Sequence, residues 1–149
     1  MLKIAEGPYQ HLRRHAEEDY PHESCGVLLG RSDGAVREVV RVARCSNTRA
    51  DAPRNRYHID PGELVRVERE GRARGEDIVG FYHSHPDHPA LPSGTDLAEA
   101  HWLGCSYVIT AVRQGQAEAT RSFVLEGDGE GEKRFSEEDL VHHPGKDGR

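Results

Sequence analysis

The stretch from Gly80 to Asp96, Gly-Phe-Tyr-His-Ser-His-Pro-Asp-His-Pro-Ala-Leu-Pro-Ser-Gly-Thr-Asp, restricts this chain more than any other. An apolar run, Ile78, Val79 and Phe81, leads into it and predicts a strand entering a core. On an extended backbone His83 and His85 project to the same face. Pro86 has no N–H to donate and restricts its neighbour, so the strand stops there. A proline-rich loop follows, and Ser93-Gly-Thr-Asp96 opens a predicted helix through Leu97, Ala98, Ala100 and Trp102. Two imidazoles at a strand end and one carboxylate at a helix start can meet at one cation. Three protein ligands with a position left over is the arrangement of a catalytic rather than a structural zinc site. A metal-free reading also exists, since Ser93 to Asp96 fits a helix capping box. An isolated H-x-H is a weak pattern in a chain with 10 histidines. The composite of H-x-H, seven residues and S-x-x-D in a strand–loop–helix context is far rarer.

The 149 residues suit one domain. A chain of this length buries about 70% of its unfolded surface, enough for a real core. The net charge of -6 argues against nucleic acid as a partner. No run approaches the ~18 apolar residues of a membrane span. The start, Met-Leu-Lys-Ile-Ala-Glu-Gly, is too briefly apolar and too soon charged for a signal peptide. Three widely spaced cysteines, Cys25, Cys45 and Cys105, predict a reducing cytoplasm rather than a disulfide framework. No C-x-x-C is present, which excludes a cysteine zinc knuckle.

Along the chain, Leu2 to Ile4 reads as a short strand, and Tyr9 to Tyr20 as a helix with Leu12, Ala16 and Tyr20 on one side. Val27 to Leu29 predicts a buried strand. Glu23, in the turn before it, reads from the residues alone as an exposed loop carboxylate, where most glutamates are. Cys25 reads as a small core residue. Ser32-Asp-Gly34 signals a hairpin leading to a strand over Val36 to Ala43. A polar loop from Cys45 to Arg56 carries Arg49, Arg54 and Arg56, either for solubility or as a landing place for an acidic partner. Tyr57-His-Ile-Asp60 reads as a short strand with His58 packed. Asp60-Pro61 then caps a helix with Leu64, Val65 and Val67 on its apolar side. Cys105 to Val112 and Ala119 to Leu125 form an antiparallel pair around Gln114-Gly-Gln116. Lys133 to Val141 reads as a strand plus one helical turn, and His142 to Arg149 as a frayed tail. Elements in this order predict an α+β domain, a mixed and mostly antiparallel sheet with helices packed on it.

These residues resemble the JAMM (MPN+) zinc metalloproteases, whose pattern is a Glu ahead of a Gly-rich apolar strand, then H-x-H-P, a spacer and S-x-x-D. The matching positions are Glu23, His83, His85, Pro86, Ser93 and Asp96. The likeness runs from about Leu2 to Leu125, including Cys-Gly-Val-Leu-Leu-Gly, and implies a metalloprotease domain over 1–126 followed by an extension over 127–149 with a flexible tail. It implies one Zn2+ held by His83, His85 and Asp96, with Glu23 as general base and Ser93 hydrogen-bonding the oxyanion. The interval from His83 to Val112 shows no insertion of the kind that grips ubiquitin in chain-cleaving relatives, so the likeness is to small prokaryotic-type members. That implies cleavage of an amide bond after the Gly-Gly tail of a ubiquitin-like or sulfur-carrier protein, the tail adding as an extra strand. Two other readings stay open: a non-haem iron enzyme using the same His/His/Asp set, and a non-catalytic interaction domain. An edge strand could also pair across a homodimer.

Overall fold

A computed structural model describes residues 1–47, 59–127 and 132–143. In order they form β1 (Leu2–Ala5), α1 (Glu6–Asp19), β2 (Cys25–Asp33), β3 (Val36–Cys45), α2 (Pro61–Ala73), β4 (Asp77–Pro86), α3 (Gly94–Glu99), β5 (Ser106–Arg113), β6 (Gln116–Glu126), β7 (Arg134–Glu138) and β8 (Leu140–His143). The strands make one sheet in the order β7-β6-β5-β4-β2-β3-β1-β8. The expected α+β class with a mixed sheet is what forms: β1–β3, β1–β8 and β4–β5 are parallel, and the other pairs are antiparallel.

Each face of the sheet buries its own cluster. Leu2, Ile4, Leu28, Val39, Val79, Tyr82 and Val108 pack with Leu12 of α1. Val27, Leu29, Phe81, Tyr107 and Leu125 pack on the other side with Val67 of α2 and Ala100 after α3. Covered on both faces, β2 and β4 read as continuous apolar runs rather than alternating ones. A bulge in β4 decides which face carries the histidines. Leu28 pairs with Gly80 and Leu29 with Ile78, so Val79 is an extra residue. Val79 therefore packs towards α1, while Phe81, only two residues on, packs towards α2 and α3. His83 and His85 continue the phase of Phe81. Gly80 is required beside the bulge, because a Cβ there would run into the Ser106 carbonyl oxygen.

Several expectations change. Helix α1 starts earlier, at Glu6, and its buried residues are Leu12, His15 and Ala16 rather than Tyr20, which is the C-cap. In α2, capped as expected by Asp60, Val65 points to solvent with 52% exposure. Helix α3 ends at Glu99, so Ala100 and Trp102 lie beyond it; Lys133 Nζ takes the Ala98 and Ala100 carbonyls instead of a continuing helix. The helical turn expected before Val141 is absent. Asp139 alone separates β7 from β8, and its carbonyl accepts from Leu2 N–H. His142 and His143 are strand residues, not a frayed tail; His142 stacks on Tyr9 at 4.1 Å and bonds Glu6. Ile59 bridges Asn47. Arg49, Arg54, Arg56, Tyr57, His58 and residues 144–149 lie outside the described residues. Among the described residues no helix is long and apolar enough to cross a membrane.

Because β7 and β8 sit at opposite ends of the strand order yet adjoin in sequence, one segment joins both ends of the sheet. Glu138 anchors it: its carboxylate accepts from Ser106 Oγ at 2.6 Å and Ser122 Oγ at 2.7 Å and pairs with Arg37 at 3.2 Å. Glu138→Ala leaves Arg37 Nη1, the amino terminus and two buried hydroxyls without this acceptor, and is expected to lower stability by about 2–4 kcal/mol. A urea-melt midpoint unchanged from wild type would refute that role.

Candidate metal centre

Two local structures deliver the donors. The end of β4 presents the His83 and His85 rings, and the capping box of α3 presents Asp96. Asp96 N–H donates to Ser93 Oγ at 3.0 Å and Ser93 N–H to Asp96 Oδ2 at 2.9 Å. The capping box anticipated from sequence is therefore real, and the same carboxylate also faces both imidazoles. Asp96 Oδ1 lies 3.3 Å from His83 Nε2, Oδ2 lies 3.0 Å from His85 Nε2, and the two Nε2 atoms are 3.2 Å apart. Both histidines are buried, as is the carboxyl group of Asp96.

Hydrogen bonding makes this set fit a cation. His85 Nδ1 is 2.8 Å from the Pro89 carbonyl. A carbonyl only accepts, so Nδ1 carries the hydrogen, and the neutral ring turns a lone pair on Nε2 towards the Asp96 carboxylate. Acceptor facing acceptor is relieved by a proton or by a metal ion. Burial keeps His83 below the ordinary imidazole value despite its bond to Asp96. Burial resists charge on His85 too, but Asp96, the Pro89 carbonyl and Glu23 lift it above that value. For Asp96 burial opposes ionisation, yet His83, His85 and Ser93 N–H hold its carboxyl well below the usual range.

Glu23 departs from its sequence reading. It is 3% exposed, and no described group hydrogen-bonds its Oε1. Burial, the largest influence, pushes its carboxyl up to about 8; the charge of His85 works against this, and Asp96 and Glu99 add to it. The tie that places it was missed in the sequence. Ser84, the middle residue of His-Ser-His, accepts from Ser24 N–H at 2.8 Å and donates its own N–H to the Ser24 carbonyl at 3.1 Å. The alternation of β4 points Ser84 away from the histidines, which is the signal that could have found it. Glu23, His85, Pro89 and Ser93 line one cavity of about 350 Å³. A second, of about 460 Å³, runs from Asp96 past Leu64, Phe81, Trp102 and Tyr107. A third, of about 520 Å³, is bounded by Glu18, Asp19, Tyr20, His22, Glu23 and Asn47. Ser93 Oγ accepts the capping bond, which leaves its hydroxyl hydrogen for another acceptor. All three cysteines are free; burial lifts the Cys25 thiol far above its ordinary value and the Cys45 thiol to about 12, so both behave as core residues.

Known proteins are similar to this chain in sequence and fold. The family described as prokaryotic homologs of the JAB domain matches residues 6–126. A desampylase of Haloferax volcanii is 44% identical over 99 residues, 66% of this chain and 69% of its own. A probable TtuB-protein conjugate cleaving protease of Thermus thermophilus is 34% identical over 125 residues, 84% and 76% of the two chains. A CysO-cysteine peptidase of Mycobacterium tuberculosis is 34% identical over 109 residues, 73% and 72%. A solution structure of a Desulfitobacterium hafniense protein superposes with a TM-score of 0.83 at 29% identity, covering 97% of this chain and 94% of that one. A JAB1/MPN domain protein from Archaeoglobus fulgidus shares the fold with a TM-score of 0.55 at 18% identity, covering 96% and 97%. The chain belongs to the prokaryotic homologues of the JAB domain.

Proposed function

We propose that this chain is a cytoplasmic zinc-dependent hydrolase that cleaves the amide bond following the C-terminal Gly-Gly tail of a ubiquitin-like or sulfur-carrier protein. The observation that carries the reading is the gathering of His83, His85 and Asp96 donor atoms within 4.8 Å of one another, beside the buried carboxylate of Glu23. The names of the relatives, a desampylase, a conjugate-cleaving protease and a CysO-cysteine peptidase, point to the same class of bond.

In this reading His83, His85 and Asp96 hold the ion. The chemistry zinc supplies when bound is Lewis acidity, which polarises a carbonyl and brings the pKa of water from ~15.7 towards ~7. Glu23 accepts the proton of the attacking water and returns it to the departing amine. Burial raises the Glu23 carboxyl in the metal-free protein, and a bound cation would favour the carboxylate, the form that accepts a proton. The Ser93 hydroxyl donates to the oxygen that becomes negative as the carbonyl turns tetrahedral. Glu23 lines the two cavities on its side of the donor set, so the departing amine belongs there. The apolar cavity beyond Asp96 then takes the acyl side, where a Gly-Gly tail can lie close to the backbone.

The test is incubation of zinc-loaded protein with Gly-Gly-tailed carrier conjugates, with and without a chelator, followed by intact mass. Release of a carrier ending in Gly-Gly, abolished by the chelator, is expected. Conjugates left intact, or stoichiometric iron without zinc in protein purified with no added metal, would sink the reading.

A further inference from the structure

We infer that Asp87 is a positioning residue for the metal centre, a tie between the segment that carries Glu23 and the loop that aims His85. The inference rests on the metal-centre reading above and concerns how this chain keeps its donors aligned.

His85 aims its Nε2 at the centre because its Nδ1 is held by the Pro89 carbonyl at 2.8 Å. That carbonyl belongs to the loop after Pro86, so the ring is only as well placed as the loop. Among the described residues, Asp87 holds the loop at its first residue through its N–H and both carboxylate oxygens. Its N–H donates to the Val112 carbonyl at 2.6 Å, one carboxylate oxygen accepts from Gln114 N–H at 3.0 Å, and the other accepts from Tyr20 Oη at 2.6 Å. The backbone turns there through the left-handed region, with φ of 57° at Asp87. Among residues with a side chain only Asn and Asp adopt that region readily, and such a turn persists where its surroundings insist on it.

The Tyr20 arm is what gives the tie a function beyond bracing a loop. Tyr20 is the C-cap of α1 and stands three residues before Glu23, while Asp87 stands two after His85. One carboxylate therefore links the segment bearing the buried acid–base group to the segment bearing a donor. The Ser24–Ser84 pair makes the same link on the other side of Glu23. Glu23 is thus bracketed by two bridges to the end of β4. Groups that orient metal donors through hydrogen bonds commonly contribute 10–100-fold to metal affinity or activity.

The experiment compares zinc retention against a chromophoric chelator, the visible spectrum of the cobalt(II)-loaded protein, and kcat and KM on a Gly-Gly conjugate. Asp87→Ala is expected to hold zinc about 10–100-fold more weakly, to shift the cobalt bands, and to lose kcat about tenfold with KM within about twofold. Asp87→Asn is expected to recover to within about threefold, because its amide oxygen still accepts from Gln114 N–H and its NH2 can donate to Tyr20 Oη. Tyr20→Phe should weaken zinc retention about threefold and add nothing to Asp87→Ala in the double variant. Asp87→Ala that retains zinc within threefold of wild type with an unshifted cobalt spectrum overturns the inference, as does Asp87→Asn impaired like the alanine variant. Should Asp87→Ala not fold, Tyr20→Phe decides, and wild-type retention there overturns it. Wild type that binds zinc but leaves every conjugate intact refutes the proposed substrate and leaves the metal comparison in force. Wild type that binds neither zinc nor cobalt refutes both.

Discussion

Glu23→Gln is expected to keep its zinc and to hydrolyse Gly-Gly conjugates at least about 10²-fold more slowly, the usual size of a general acid–base contribution. The substitution is nearly isosteric, and Glu23 stands apart from the three grouped donors, so the metal set is left intact. The same variant carries a second signature in metal-free protein. The folded-state pKa of Glu23 is raised from 4.5 to about 8 by burial. Below 4.5 both folded and unfolded chains are protonated at this group, and its burial carries no electrostatic cost. As pH rises towards 8 the unfolded chain ionises first, so stability falls across that window and the loss is complete above it. The drop is on the order of a few kcal/mol, and glutamine abolishes it. Metal-free Glu23→Gln should therefore be more stable than metal-free wild type at pH 8 and nearly equal to it at pH 4.5. Bound zinc reverses the balance, because a neighbouring cation favours the carboxylate. Urea melts at the two pH values, with and without zinc, check the sign. Equal pH slopes for the two metal-free proteins would mean that Glu23 is not buried as described, and undiminished hydrolysis would remove it from the chemistry.

His83→Ala and Asp96→Ala are each expected to lose zinc and hydrolysis together, with affinity down by at least about 10², beyond what outer hydrogen-bonding partners contribute. Asp96 has a second duty that must be separated. Its alanine variant also removes the carboxylate half of the capping box, so Ser93 N–H loses that acceptor while Ser93 Oγ still caps α3. Asp96→Asn keeps an oxygen for Ser93 N–H and removes the charge facing the histidines. It should retain the helix and still bind zinc poorly. Metal content after dialysis is the measurement, and full zinc in both His83→Ala and Asp96→Ala would show the donor set to be wrong.

Much of this centre lies in one stretch of chain, which is why it was legible before folding. His83 and His85 share a face by the period of a strand, Pro86 ends that strand, and Ser93 and Asp96 start a helix by the chemistry of its unpaired N–H groups. Val27 to Leu29 and the run through Ile78, Val79 and Phe81 likewise read as strands of the core. What sequence spacing could not carry is contact between distant segments. Glu23 looked like a surface carboxylate because glutamates usually are. Only the pairing of β2 with β4, tightened by Ser24 and Ser84, brings it beneath the surface next to a donor set some sixty residues away. The tie from Tyr20 to Asp87 is of the same kind.

The face on which the histidines emerge was likewise settled by tertiary structure, through the bulge at Val79. So was the helical turn expected before Val141, replaced by two strands that meet opposite ends of the sheet. Local propensity is a preference of a few tenths of a kcal/mol per residue, and strand partners far along the chain outweigh it. The sequence by itself determined the donor types, their spacing and the class of fold. The packed sheet decided which way they face, what stands beside them, and that the Glu23 carboxylate is buried next to them.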